Sequence, residues 1–335
     1  MIRLLKSNPS ISYLVITFVI SWLFWFSPIF IDLPDDIYFS IIVVGGFGPA
    51  ISGLVLLHLQ SSKKITIASR SLFWIVSFAF ALLLAMTHYL VNNEARLGKF
   101  WFKLKDIGLI AIVILLLCSL FLGLLASNSK NNDLKENYLK SLIFDKTKIK
   151  WYVLAVLFYP VLYILGFAFG ELFGFGTSES LFTPDIYDVP GFLLIFFLAG
   201  AEEFGWRGFL QKELQKKYNP LISAIIISIA WTLWHIPLHY NGFYDSGIFG
   251  RLLLSFQLGI LFTWFYNKSG YSILTVMLLH TMNNWVGNIF GTSYYPAMAL
   301  GIILFIFFII NNKMWQMKNY HIKFYSTEKS LKSST

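Results

Sequence analysis

The chain has 335 residues, 57% of them hydrophobic and only 13% charged, with a mean hydropathy of +0.66. Soluble domains carry roughly twice that share of charge, so the composition excludes a soluble globular domain. It predicts an all-α polytopic transmembrane helix bundle, because helices satisfy their own backbone groups in lipid. The net charge of +9 could suggest nucleic acid, but the basic residues fall in loops and in the tail, as the positive-inside rule expects. No nucleic-acid partner is therefore expected, and the partner implied is the bilayer. The single cysteine, Cys118, excludes an internal disulfide.

Ten candidate spans follow in chain order, at roughly 11–31, 38–59, 71–91, 106–126, 151–173, 190–210, 221–240, 249–266, 271–290 and 295–311. The first begins after Arg3 and Lys6 but is longer than a signal-peptide core. Its bulky Trp22, Phe24, Trp25 and Phe26 leave no small-residue cleavage site, so it reads as an uncleaved span. Loops 60–70, 127–150 and 211–220 are basic, whereas loops 32–37, 174–189, 241–248 and 291–294 carry no Lys or Arg. This alternation predicts an integral membrane protein with both termini cytoplasmic; a bacterial cell membrane is the expected location. Loop 92–105 breaks the pattern with Arg96, Lys99, Lys103 and Lys105, which marks spans three and four as a differently placed hairpin. The organisation expected is membrane spans with that hairpin over 1–126, a basic cytoplasmic linker over 127–150, a functional membrane domain over 151–312 and a basic cytoplasmic tail over 313–335. No internal repeat is evident.

The chemistry concentrates in the second half. Of the seventeen acidic residues, only Glu202 and Glu203 sit near the middle of a span, and among basic residues only Arg207 is as deep. Arg251 lies at a span's outer end, from which it can snorkel. Ionised groups at that depth are costly and mark function. On a helix Glu203 and Arg207 are four apart and can pair, while Glu202 points about 100° away and needs a partner from another segment. Two segments offer one. Span seven carries Trp231-Thr232-Leu233-Trp234-His235-Ile236-Pro237, with Trp231 and His235 on one face and Pro237 loosening the helix. Span nine carries His280 and Asn284 on one face. Each motif alone has a plainer reading as polar glue between membrane helices.

Counting ~1.5 Å per residue from the span ends, Glu202, His235, His280 and Asn284 all fall within about 10 Å of mid-bilayer. Together they can activate water: a carboxylate takes a proton, an imidazole orients or shares it, and an imidazole and an amide donate to an oxyanion. Glu202, His235 and His280 are equally the ligand set of a hydrolytic zinc site. No His-Glu-x-x-His motif occurs, which excludes a zincin-type helix.

Glu202-Glu203-x-x-x-Arg207, an aromatic residue ahead of His235, and His280-x-x-x-Asn284 resemble the CPBP family, the CAAX-prenyl-protease and bacteriocin-processing intramembrane proteases also called the Abi family. The likeness covers roughly 150–311, with a weaker echo at Gly48-Pro49-Ala50. One departure is Trp231, where the family often has Phe. The resemblance implies a core of about eight spans with spans three and four added. It also implies an intramembrane endopeptidase acting on a membrane-associated peptide or protein. In it Glu202 would be the general base working with His235, His280 and Asn284 would form the oxyanion site, and Glu203 and Arg207 would support them. The family is named for metalloproteases, yet the same residues also suit a metal-free glutamate mechanism. Two other readings remain open: a non-proteolytic scaffold that binds a membrane regulatory partner such as a sensor kinase, and a solute or proton transporter.

Overall fold

A computed structural model describes residues 5, 7–31, 41–42, 44–60, 74, 140–142, 144–174, 188–244, 247–290 and 294–316. Spans three and four apart from residue 74, most of the 127–150 linker and the tail beyond 316 lie outside these residues. The described residues form helices and turns only. We label the principal helices α1 (Pro9–Trp25), α2 (Gly48–Gln60), α3 (Ile149–Phe173), α4 (Asp188–Gly205), α5 (Pro220–Trp234), α6 (Ile236–Tyr240), α7 (Ile248–Lys268), α8 (Ile273–Ile289) and α9 (Tyr294–Asn311). Among the described residues, four helical stretches are long and apolar enough to cross a membrane: Pro9–Phe30, Lys146–Phe173, Pro220–Tyr240 and Ile248–Lys268. The chain is an integral membrane protein built as a helical bundle.

The helices are sided as lipid requires. On α1, Ile11, Val15, Val19 and Leu23 are exposed at four-residue steps, while Tyr13, Thr17, Ser21 and Trp25 are buried at the same steps. Apolar side chains therefore face outward, and small or hydrogen-bonding ones face the bundle, because lipid offers polar groups no partner. Ser21 Oγ donates to the Gly45 carbonyl at 2.6 Å, and Trp25 Nε1 donates to the Ile42 carbonyl at 2.9 Å.

Helix α8 is the centre of the second half, packed against α3, α4 and α7. Helix α5 lies along α7, and α2 bridges α1 and α4. Close approach depends on glycine at several crossings, of which two matter most for the site. A Cβ on Gly205 would collide with the Pro49 carbonyl of α2 and the Tyr13 hydroxyl of α1. A Cβ on Gly259 of α7 would collide with the Ser228 hydroxyl of α5.

Two irregularities position the site. Helix α4 runs into a π-helical turn, Trp206–Gln211, whose six residues are all buried, and then a short α-turn, Lys212–Gln215. Such turns are rare and recur at functional sites. Helix α5 stops at Trp234 and the chain resumes at Ile236, with His235 at the junction. The expected effect of Pro237 is thus a break one turn before the proline. There the His235 backbone N–H bonds the Thr232 carbonyl at 3.1 Å, three residues back. The Trp231 carbonyl, its partner in a continued α-helix, is left free for another donor. The Trp234 carbonyl is freed likewise, and Trp22 Nε1 of α1 satisfies it at 3.1 Å. Asn241 Nδ2 in turn donates to the Trp25 carbonyl at 2.6 Å, so α1 braces the break from both sides.

Candidate active site

Glu202 and Glu203 are adjacent, and the helix turns them to different surroundings. Glu203 is fully buried. Its Oε2 stands 3.1 Å from Arg207 Nε, an ion pair whose angle is not that of a hydrogen bond. Its Oε1 lies 2.9 Å from His280 Nδ1. A carboxylate beside a buried arginine is ionised and accepts only, so Nδ1 carries the hydrogen and donates it. Arg207 is 1% exposed, with its guanidinium carbon 5.4 Å from the centre of the Phe262 ring. The expected pairing of Glu203 with Arg207 is present, and His280 joins it.

Glu202 is only partly buried. Its Oε2 accepts a hydrogen bond from Trp231 Nε1 at 2.9 Å. Glu202 thus finds its partner on α5. Trp231 is 2% exposed and touches Glu202, His235, His280 and Arg251. Its ring meets His280 edge-on, with centroids 5.4 Å apart. Its carbonyl lies 2.6 Å from His235 Nδ1, the contact that the helix break permits.

His235 is 3% exposed. Arg251 Nη2 of α7 lies 2.6 Å from His235 Nε2 and 3.0 Å from Nδ1. Arginine only donates, and the Trp231 carbonyl only accepts. The one consistent arrangement has Nδ1–H donating to that carbonyl and Nε2 accepting from Arg251. This corrects the expectation that Arg251 snorkels outward. Its guanidinium carbon sits 5.2 Å from the Trp231 ring centre and 5.0 Å from that of Tyr244, so two aromatic faces hold the cation inside. The sequence marked Arg251 only by its place at a span end. The signal available was Trp231 and Tyr244, two rings able to receive it.

On α8, His280 is buried, while Asn283 and Asn284 are partly exposed. Asn284 Oδ1 accepts from Asn283 Nδ2 at 2.9 Å, which leaves the amide nitrogen of Asn284 as the donor end. His239 lies on α6 with its ring 5.3 Å from that of Tyr244. Contacts therefore link Glu202, Trp231, His235 and Arg251, and separately Glu203, Arg207 and His280, with Trp231 touching both groups.

His235 has both ring nitrogens engaged, one of them by a cation. His280 Nδ1 meets Glu203, an outer contact that a metal-ligating histidine also makes. Among the described residues no three His, Cys, Asp or Glu side chains are grouped to hold a metal ion. In this arrangement His235 Nε2, the nitrogen a metal would take, faces the Arg251 guanidinium instead.

Residues 186–286 match the model of the family described as type II CAAX prenyl endopeptidase Rce1-like. This interval contains Glu202, Glu203, Arg207, His235, His280 and Asn284. A curated CAAX prenyl protease 2 from Methanococcus maripaludis is 31% identical over 175 residues, which are 48% of this chain and 65% of that protein. The chain thus spans about 65% of the length of that relative.

Proposed function

We propose that the chain, whose residues 186–286 match the model described as type II CAAX prenyl endopeptidase Rce1-like, is an intramembrane endopeptidase. It hydrolyses a peptide bond in a membrane-associated peptide or protein, with both ends of the chain on the cytoplasmic side as the loop charges ask. The observation that carries this reading is the division of labour between the two glutamates. Glu203 is closed off by Arg207 and His280, whereas Glu202 is half-open and held by one indole N–H. A buried, doubly paired carboxylate cannot receive a proton from solvent without stranding Arg207. A half-open one can.

Glu202 acts as the general base. It takes a proton from water as the water oxygen bonds the scissile carbonyl carbon, and the carbonyl oxygen becomes an oxyanion. Glu202 then returns the proton to the leaving amine as the C–N bond breaks. The Asn284 amide donates to the oxyanion. His280 gives its Nδ1–H to Glu203, so it donates from Nε2 only as the imidazolium, with Glu203 supplying the opposite charge. This explains why a supporting carboxylate sits behind an oxyanion donor. His235 aids the water through Nε2 only once Arg251 Nη2 moves off that atom.

The test is cleavage of membrane-embedded peptides by purified protein and Glu202→Gln in parallel, with and without strong chelation. Cleavage that depends on Glu202 and survives chelation is expected. Cleavage abolished by the chelator would return a metal to Glu202, His235 and His280. Equal cleavage by Glu202→Gln would remove Glu202 from the role of base. Glu202-independent absence of cleavage with folded protein would favour the scaffold.

A further inference from the structure

We propose that Trp231 is the positioning residue of the general base: its indole N–H fixes the Glu202 carboxylate by holding Oε2, so that Oε1 receives the proton of the attacking water. The inference rests on the proposed hydrolysis and adds to it a residue whose type matters for a reason other than packing.

The argument is one of donors and acceptors. Glu202 lies in a helical segment with no local cation facing it, since Arg207 is committed to Glu203. A carboxylate with two free oxygens on a flexible side chain samples several rotamers, and few of these aim at one water. The Trp231 indole removes that freedom. It is 2% exposed and wedged between the His280 ring and the Arg251 guanidinium, at 5.4 Å and 5.2 Å between centres. Its own carbonyl receives His235 Nδ1 at 2.6 Å, which ties the Trp231 backbone to the same cluster. The N–H therefore cannot follow the carboxylate; the carboxylate must come to it. Indole is a donor only, so the contact at 2.9 Å has one polarity and occupies one oxygen. The other oxygen is left for the reaction.

Phe, which the resembling family often carries at this place, would fill the space of the ring and make no such bond. The aromatic ring alone explains the packing against His280 and Arg251. It does not explain why the N–H edge, rather than a C–H edge, meets Glu202.

Two measurements test this. The first is the kinetics of Trp231→Phe, which keeps a ring and drops the N–H. Loss of one hydrogen bond to a charged group predicts a fall in kcat of about 10- to 100-fold with KM unchanged. An unchanged kcat in a folded Trp231→Phe protein would overturn the proposal. The second needs no cleavage at all and stands if that variant fails to fold. In protein labelled with 15N-tryptophan, the Trp231 indole proton should resonate downfield, as expected for donation to a carboxylate. It should move upfield in Glu202→Ala, while the indole of Trp285 stays in place. A Trp231 resonance unmoved by Glu202→Ala would overturn the proposal whether or not the protein is a protease. If the resonance moves and no peptide is cleaved by any form, the positioning contact stands and the hydrolase reading falls.

Discussion

Glu202 and Glu203 share a peptide bond and a depth in the bundle, yet they live in different chemistry. Around Glu203 every charge is answered: Arg207 at 3.1 Å, His280 at 2.9 Å and no exposure. Around Glu202 there is one neutral donor, partial exposure, and a cation on Arg251 that is turned toward His235 instead. The difference comes from one residue of helix rotation. The lesson is that a pair of acidic residues in a membrane helix is not a doubled function. Here one member is closed in by its partners and the other is partly exposed.

The sharpest way to break this comparison is through activity. Glu202→Ala should lower cleavage by about 10²- to 10⁴-fold, the range for a lost general base, with the protein still inserted and folded. Cleavage near the normal rate would show that the open glutamate is a bystander. The second effect belongs to the closed glutamate. Arg207→Ala leaves Glu203 buried beside a histidine alone and should cost about 3–5 kcal/mol of stability. Unfolding in detergent at the normal midpoint would show that the pair contributes little.

The third sharpens the division on α8. Asn284→Ala should reduce kcat by about 10²- to 10³-fold with little change in KM, because it is the partly exposed donor. A change confined to KM would make it a binding residue. The smallest effect tests the frame. Gly205→Ala puts a Cβ against the Pro49 carbonyl and should cost about 1–3 kcal/mol through displacement of α2. Unaltered stability would mean that α2 moves freely and does not fix the site helix.

Much of this was legible beforehand, and the reasons are local. The i, i+4 spacing of Glu203 and Arg207 led to the pair that the structure forms, because helical geometry leaves few other partners. Trp231 and His235 likewise share a face, and the break near Pro237 was expected from the missing N–H. What spacing could not show was the direction of long side chains across helices. His280 reaches Glu203, and Arg251 turns inward onto two rings. Both depend on how α4, α7 and α8 are placed around one another. The donor role of Trp231 was hidden for another reason: the sequence shows an aromatic, and only the packing shows which edge of the ring meets the carboxylate. The hairpin of spans three and four, apart from residue 74, lies outside the described residues.

The measurement that tests the central claim most directly is thermal unfolding of Glu202→Gln and Glu203→Gln, side by side in the same detergent. Both changes remove one charge and keep the side-chain shape. The account predicts that Glu203→Gln lowers Tm by about 10 °C, because Arg207 loses its buried counter-charge, whereas Glu202→Gln leaves Tm where it was. Equal Tm values for the two variants, or a larger loss for Glu202→Gln, would contradict the assignment of one glutamate to structure and the other to chemistry.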